Sequence, residues 1–220
     1  MSKNIFSTIT AVYQKIKFGP SPNLLGDRDL EYSFIAANLP NKTGRVLDFG
    51  SGGTPLSLIA ELKGHNVTAI DLIKYNTAYK TAAKFMQGDI LNTNQLKKNY
   101  FDIVINCSSI EHVGLSGRYG ITKYIADGDL DAMNILRNVL KKGGIMLLTI
   151  PVGQDTTVES MHRIYGEERL PKLISGFTVL KQQFWIKDSQ NKWNEMNTKR
   201  ALSTQGSKKY YGIGCFVLKK

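Results

Sequence analysis

The stretch from residue 46 to 72, VLDFGSGGTPLSLIAELKGHNVTAIDL, leaves the chain little choice of fold. An apolar run ends at Gly50, Gly52 and Gly53, a segment with helical spacing follows, and a second apolar run ends at Asp71. Strands joined by a helical crossover run parallel, whereas antiparallel neighbours need only a short turn. RVLDF (45–49), NVTAID (66–71), KFMQGD (84–89), FDIVINC (101–107) and GIMLLTI (144–150) are strand candidates, with helical stretches expected between them. Apolar runs without alternation belong to a parallel sheet covered on both faces.

The last third has a different character. GFTVLKQQFWIKD (176–188) and YGIGCFVLKK (211–220) are longer and more amphipathic, and predict an antiparallel pair closing one edge. The polar stretch between them, Ser189–Tyr210, exceeds ordinary loop lengths and predicts a mobile loop or lid. At the other end Ile5, Phe6, Ile9, Val12, Tyr13 and Ile16 are spaced as an amphipathic helix, either covering the domain or lying on a membrane surface. Pro20 and Pro22 break it, and a second helix restarts with Asp27 as N-cap and ends before Pro40.

With 220 residues, 42% of them hydrophobic, the chain supports one domain with a full core. It divides into a helical cover (1–40), a ligand-binding core (44–153) and substrate-side loops with the closing strand pair (154–220). The expected architecture is a doubly wound, mostly parallel α/β sheet with helices on both faces and an antiparallel edge strand. No apolar run reaches the ~20 residues of a membrane span, and neither Cys107 nor Cys215 has metal-ligand spacing, so a cytoplasmic protein without metal or disulfide is expected. The net charge of +11 favours an acidic partner, yet the lysines stand singly or in pairs, so a plain solvated basic surface explains them equally well.

The glycine turn narrows the ligand. A dinucleotide fingerprint would place its third glycine where Pro55 stands. Thr54 is expected as N-cap and Pro55 as first helical residue, with Leu56, Ile59 and Ala60 facing the sheet and Gly64 ending the helix. Asp48, at the end of the first strand, would repel a pyrophosphate on the adjacent helix but suits a ligand with an ammonium group. S-adenosylmethionine has an ammonium, a sulfonium and no phosphate. Asp71, at the end of the second strand, stands where a carboxylate accepts hydrogen bonds from ribose hydroxyls. Either acid alone reads equally as a cap or turn residue; both flanking one glycine turn do not.

Here the sequence resembles the class I S-adenosylmethionine-dependent methyltransferases over residues 44–153. VLDFGSGG matches their first motif, VTAID the second, QGDI the third, FDIVINCSSIEHV the fourth and LKKGGIMLLTIPVG the run into strand five, with Thr54 replacing the usual third glycine. The resemblance implies a seven-stranded sheet. It also implies a cofactor site of Asp48, Gly50, Ser51, Gly52, Asp71, Leu72, Asp89, Ile90 and Asn106, in which Asp89 binds the adenine amino group and Ile90 packs on the ring. GDRDLEYSFIAANLP, SSIEHVGLSGRYG, DGDLDAM and MHRIYGEERLP further resemble an uncharacterised group of methyltransferase-like proteins with no known substrate.

The acceptor is constrained less. His112, beyond the end of the fourth strand, is the candidate general base for a hydroxyl acceptor, with Glu111 orienting it or holding the acceptor; both could instead simply begin a helix. His65 falls in a polar turn and is expected to be solvated. Enzymes of this class that methylate nucleic-acid amines carry [D/N]-P-P-[aromatic] after strand four, whereas Asn106-Cys107-Ser108-Ser109 stands here. Cys107 lacks the preceding proline of cytosine-carbon enzymes and reads as a strand residue. Arg118, Tyr119, His162, Arg163 and Tyr165 fall in loops on the strands' carboxyl side and are candidate substrate residues, the arginines as carboxylate or phosphate clamps. The leading expectation is O-methylation of a small molecule or sugar. An RNA methyltransferase and a cofactor-binding protein without catalysis are the alternatives.

Overall fold

The computed structural model describes residues 26–220 apart from 78, 118, 190 and 208–210. The amphipathic helix expected over Ile5–Ile16 lies outside the described residues, as does Arg118. The chain order is α1 (Asp27–Asn38), β1 (Arg45–Phe49), α2 (Leu56–Leu62), β2 (Asn66–Asp71), β3 (Lys84–Gln87), β4 (Phe101–Cys107), a 3-10 turn (Ile110–His112), α3 (Gly128–Val139) and β5 (Leu140–Val152). There follow β6 (Thr156–Val158), β7 (His162–Ile164), α4 (Arg169–Leu173), β8 (Thr178–Lys187), β9 (Trp193–Met196), α5 (Thr198–Leu202) and β10 (Gly212–Lys219).

One sheet of order β3-β2-β1-β4-β5-β10-β8-β9 dominates, with β6-β7 forming a separate ribbon. β3 to β5 are parallel; β10 inserts antiparallel between β5 and β8. The apolar runs are explained by burial on both faces. Along β1, Val46 packs with Phe34, Ile35 and Leu56 beneath α1 and α2, while Leu47 packs with Met133, Leu136 and Leu148 against α3. Strands β4 and β5 alternate in the same way: Ile105 and Leu147 face α1, Val104 and Leu148 face α3.

Four expectations need correction. The sheet has eight strands rather than seven, because the polar stretch after residue 188 is not an unstructured loop. Trp193 and Met196 reach the two apolar clusters on opposite sides of the sheet, so β9 pairs with β8 (Phe184 opposite Met196), and Ala201 and Leu202 of α5 are buried. Residues 190 and 208–210 of that stretch lie outside the description. Second, no helix is assigned among the described residues between β2 and β3 or between β3 and β4, where the sequence is polar and lysine-bearing. Third, helix starts shift by one residue. Gly26, not Asp27, is the N-cap of α1, its N–H donating to Asp29 at 3.0 Å, and Pro55 is the N-cap of α2 while the Thr54 hydroxyl donates to the Ser51 carbonyl at 2.9 Å. Gly64 does end α2, with φ of 87°.

His65 is also buried rather than solvated. Its Nδ1 accepts from the Gly44 N–H at 3.1 Å and its Nε2 donates to the Pro40 carbonyl at 3.0 Å, tying the end of α2 to the approach of β1.

The loop that follows the 3-10 turn crosses the start of α3 through two glycines. Gly114 has φ of 79°, and a Cβ there would lie 2.9 Å from the Gly128 Cα. Gly114→Ala therefore combines left-handed strain with overpacking and is expected to cost about 1–3 kcal/mol. Urea denaturation reads this directly; an unchanged midpoint would mean the two backbones are not in such contact.

Candidate functional site

The site is organised by the turn between β1 and α2. Gly50 has φ of 65°, and its N–H donates to Ile70 at 2.9 Å, while the Ser109 hydroxyl donates to the Gly50 carbonyl at 3.1 Å. A Cβ on Gly50 would overlap the Ser109 side chain, so glycine is required by both conformation and space. The Asp71 carboxylate receives the Gly52 N–H at 2.9 Å and the Ile73 N–H at 3.0 Å. It is thus oriented on the rim by two backbone donors. Asp48 lies behind the turn, almost wholly buried, and accepts from the Ser57 hydroxyl at 2.7 Å. Burial pushes its carboxyl up to about 6; the Ser57 hydrogen bond opposes the shift and nearby Asp71 adds to it.

A cavity of about 510 Å³ opens above this turn. Phe49, Gly50, Gly52, Gly53 and Thr54 form its floor on one side, with Asp71, Leu72, Tyr75, Asp89, Ile90 and Leu91 beside them. It continues past Cys107, Ser108 and Ser109 to His112, Gly114 and Tyr119. Its position at the carboxyl ends of parallel strands is where open α/β sheets bind ligands. Of the expected cofactor residues, Gly50, Gly52, Asp71, Leu72, Asp89 and Ile90 line it. Asp48, Ser51 and Asn106 are instead buried behind the wall. Asn106 Oδ1 accepts from the Ile110 N–H at 3.3 Å, and its Nδ2 has no hydrogen-bond partner among the described residues. Asp89 closes its own turn, accepting from the Leu91 N–H at 2.9 Å and the Asn92 amide at 2.8 Å.

His112 lines the far end. Its Nδ1 lies 2.6 Å from the Met161 carbonyl, which fixes a proton on that nitrogen, and its Nε2 lies 3.6 Å from the buried Glu111 carboxylate. Rings of Tyr119 at 5.7 Å and His162 at 6.3 Å flank it, and Tyr211 continues the series 5.6 Å beyond His162.

The proposed substrate residues divide. Tyr119 lines the cavity, whereas His162 is buried in the ring series. Arg163 does not reach the cavity; its guanidinium donates to the carbonyls of Val113 at 2.6 Å and Ala126 at 3.0 Å and lies 3.6 Å from Asp129. Tyr165 likewise donates to Asp129 at 3.1 Å from a fully buried position. Both hold the substrate-side loops in place, Arg163 by the carbonyls that precede α3. Two residues without a signal of their own in the glycine-turn motif, Arg28 and Glu31, also stand at the site. Glu31 is buried, accepting from Arg28 at 2.7 Å, from the Thr149 hydroxyl at 3.0 Å and from the Ser108 hydroxyl. A signal existed: Glu31 shares an i, i+3, i+4 stripe with buried Phe34 and Ile35.

Residues 63–220 match the family model DUF268, described as a Caenorhabditis protein of unknown function. The chain belongs to the DUF268 family. That match includes Asp71, Asp89 and His112, while the Gly50–Thr54 turn precedes it. No curated protein matches the chain. Among solved structures, this DUF268 chain is similar to the Burkholderia thailandensis 1,6-didemethyltoxoflavin-N1-methyltransferase with bound 1,6-didemethyltoxoflavin and S-adenosylhomocysteine. The TM-score is 0.56 at 14% identity, over 100% of this chain and 91% of that one. An S-adenosylmethionine-dependent methyltransferase from Archaeoglobus fulgidus gives 0.59 at 11% identity over 95% and 98%. The [4+2]-cyclase SpnF gives 0.57 at 14% identity over 87% and 80%. The fold is that of the class I methyltransferases.

Burial of Asp48 carries a stability cost with a defined pH dependence. Its folded pKa lies above its unfolded value, so its contribution is fully favourable below about pH 4 and is lost as pH rises through about 6. Asp48→Asn is therefore expected to stabilise the protein at pH 7.5, by on the order of 2–3 kcal/mol, and to lose that advantage by pH 4. Denaturation of both proteins at the two pH values measures it; an advantage that does not change with pH would contradict a perturbed carboxyl.

Proposed function

We propose that the protein is an S-adenosylmethionine-dependent methyltransferase that acts on a hydroxyl of a small molecule or sugar. The observation that carries this reading is the single cavity joining the acid-flanked glycine turn to His112. The cofactor's features find counterparts in the chain. Asp71 presents fixed carboxylate oxygens to ribose hydroxyls, Leu72, Ile90 and Leu91 offer an apolar slot for adenine, and the carboxylates of Asp48 and Asp71 make the turn attractive to a cation and repellent to phosphate. Bound there, S-adenosylmethionine supplies a sulfonium methyl group open to in-line displacement.

The chain's own task is alignment and proton removal. With Nδ1–H donated to Met161, the His112 imidazole presents Nε2 as its basic atom. A proton taken there from an acceptor hydroxyl is stabilised by Glu111, whose carboxylate lies 3.6 Å away. Tyr119 closes the acceptor side by ring contact with His112. RNA is the weaker acceptor. The exposed cations Lys42, Arg45, Lys97, Lys98, Lys142 and Lys219 gather where β1, β4 and β5 begin and β10 ends, at the opposite edge of the sheet from the cavity. The likeness to a [4+2]-cyclase shows that this fold also serves other reactions, so acceptor and reaction rest on the site. We place the protein in the cytoplasm: Cys107 and Cys215 are free and buried, and no helix among the described residues is long and apolar enough to cross a membrane.

Asp71→Ala is expected to weaken S-adenosylhomocysteine binding by about 10- to 100-fold, from the ~1.5–3 kcal/mol of a charge-assisted hydrogen bond. Calorimetry on the folded variant checks this, and parental affinity would remove Asp71 from the site. His112→Asn is expected to leave that affinity unchanged and lower turnover by about 10²–10⁴-fold, abolishing the rise of rate with pH through the histidine's titration. Near-parental turnover with the parental pH profile would make His112 structural.

A further inference from the structure

The charged side chains lining the cavity are segregated along the sheet. Asp71 ends β2 and Asp89 follows β3, at one end. Arg28 stands at the other, above the end of β4 with Nη1 3.5 Å from the Cys107 Sγ, and Lys123 also lines the cavity, in the loop between Tyr119 and Ile125. The acidic end fits the nucleoside of the proposed cofactor. The basic end faces the space left for the acceptor, beside His112 and Tyr119.

Arg28 is held as a binding group is held. Nη1 is anchored on Glu31, and Glu31 is itself fixed by Ser108 and Thr149. Nε and Nη2 make no hydrogen bond among the described residues, and the side chain is 51% exposed. A guanidinium pinned through one nitrogen at the cavity wall keeps its Nε–Nη2 edge, the pair that matches two oxygens of one anion, without a partner among the described residues. Lys123 is exposed and makes no hydrogen bond or ion pair among the described residues, so it adds a second, adjustable cation. Ser108, which also lines the cavity, has φ of 42°, a left-handed backbone held where its hydroxyl meets Glu31.

We propose that the methyl acceptor carries an anionic group, a carboxylate or a phosphate, which Arg28 binds through two hydrogen bonds and Lys123 assists. The proposal rests on the methyltransferase reading and deepens it: the acceptor is an acidic sugar or another small acid with a hydroxyl within reach of His112. A buried Glu31 explains why the site uses arginine. The acid fixes the guanidinium's orientation, whereas a lysine would turn its only charge toward Glu31 and leave none for the ligand.

The test titrates the S-adenosylhomocysteine-saturated protein with glucuronate, glucose 6-phosphate and glucose at constant ionic strength. One or both anions should bind at least about tenfold more tightly than glucose. Whichever binds identifies carboxylate or phosphate as the group. Lys123→Gln, at an exposed position, should weaken the anion by a few-fold and Arg28→Gln by about tenfold or more. Because Arg28→Gln leaves Glu31 unpaired, Arg28→Gln with Glu31→Gln provides a second variant in which no buried charge remains, and it should show the same loss. Equal binding of glucose and both anions, or anion affinity unchanged by either Arg28 variant, would overturn the proposal. The cofactor's own carboxylate is separated by comparing S-adenosylhomocysteine with methylthioadenosine, which lacks it. An Arg28→Gln loss confined to S-adenosylhomocysteine would assign the guanidinium to the cofactor and also overturn the proposal. Failure of the parent to bind S-adenosylhomocysteine at all would instead strike the methyltransferase reading.

Discussion

The hydrogen bond from the Gly52 N–H to the Asp71 carboxylate joins the two halves of the first strand–helix–strand unit at the rim of the cavity. It depends on a turn that only glycine can make at position 50, because φ is positive there and Ser109 occupies the space of a side chain. Through Ser109 the same turn is fastened to the end of β4, and through the Gly50 N–H to the end of β2. Three neighbouring strands therefore end in register around one backbone turn. The cavity is the space these ends leave, and its acidic side follows from Asp71 both bracing the turn and lining the cavity.

A second constraint lies on the opposite side of β4. Glu31 is brought under Ser108 and Thr149 by the packing of α1 on β4, β5 and β10. Burial raises its carboxyl, against the pull of Arg28 and the two hydroxyls. A buried acid with three donors is satisfied, but each donor is committed by it, so Arg28 cannot swing away from the cavity. Asp129 plays the matching role for the loops, collecting Tyr165, Arg163 and Arg169, the last at 2.5 Å. The Asp129 network braces the loops from outside the cavity, whereas the Glu31 network holds Arg28 and Ser108 at the cavity wall.

The parts of this architecture that depend on local pattern were readable from the chain. The parallel core strands, the glycine turn, Asp71 and the rim position of His112 follow from local patterns, each within one strand and the turn or helix after it, while Asp89 and Ile90 came from the family resemblance. What escaped is tertiary. Arg163 and Tyr165 carry the residue types of a substrate clamp, and only the fold shows that Asp129 and the loop carbonyls claim them. His65 looked solvated because its partners, Gly44 and Pro40, lie across the helix hairpin. The strand β9 was hidden because two apolar residues, Trp193 and Met196, suffice to seat it once β8 offers an edge. Arg28 was passed over because its significance comes from Cys107 and Ser108, far along the chain.

The central claim is that two carboxylates around a glycine turn select an ammonium-bearing, phosphate-free nucleoside over a dinucleotide. Calorimetric titration of the unmodified protein with S-adenosylhomocysteine and with NAD at matched concentrations tests it most directly. The account predicts saturable binding of S-adenosylhomocysteine and none of NAD. Binding of NAD in preference to S-adenosylhomocysteine would contradict it.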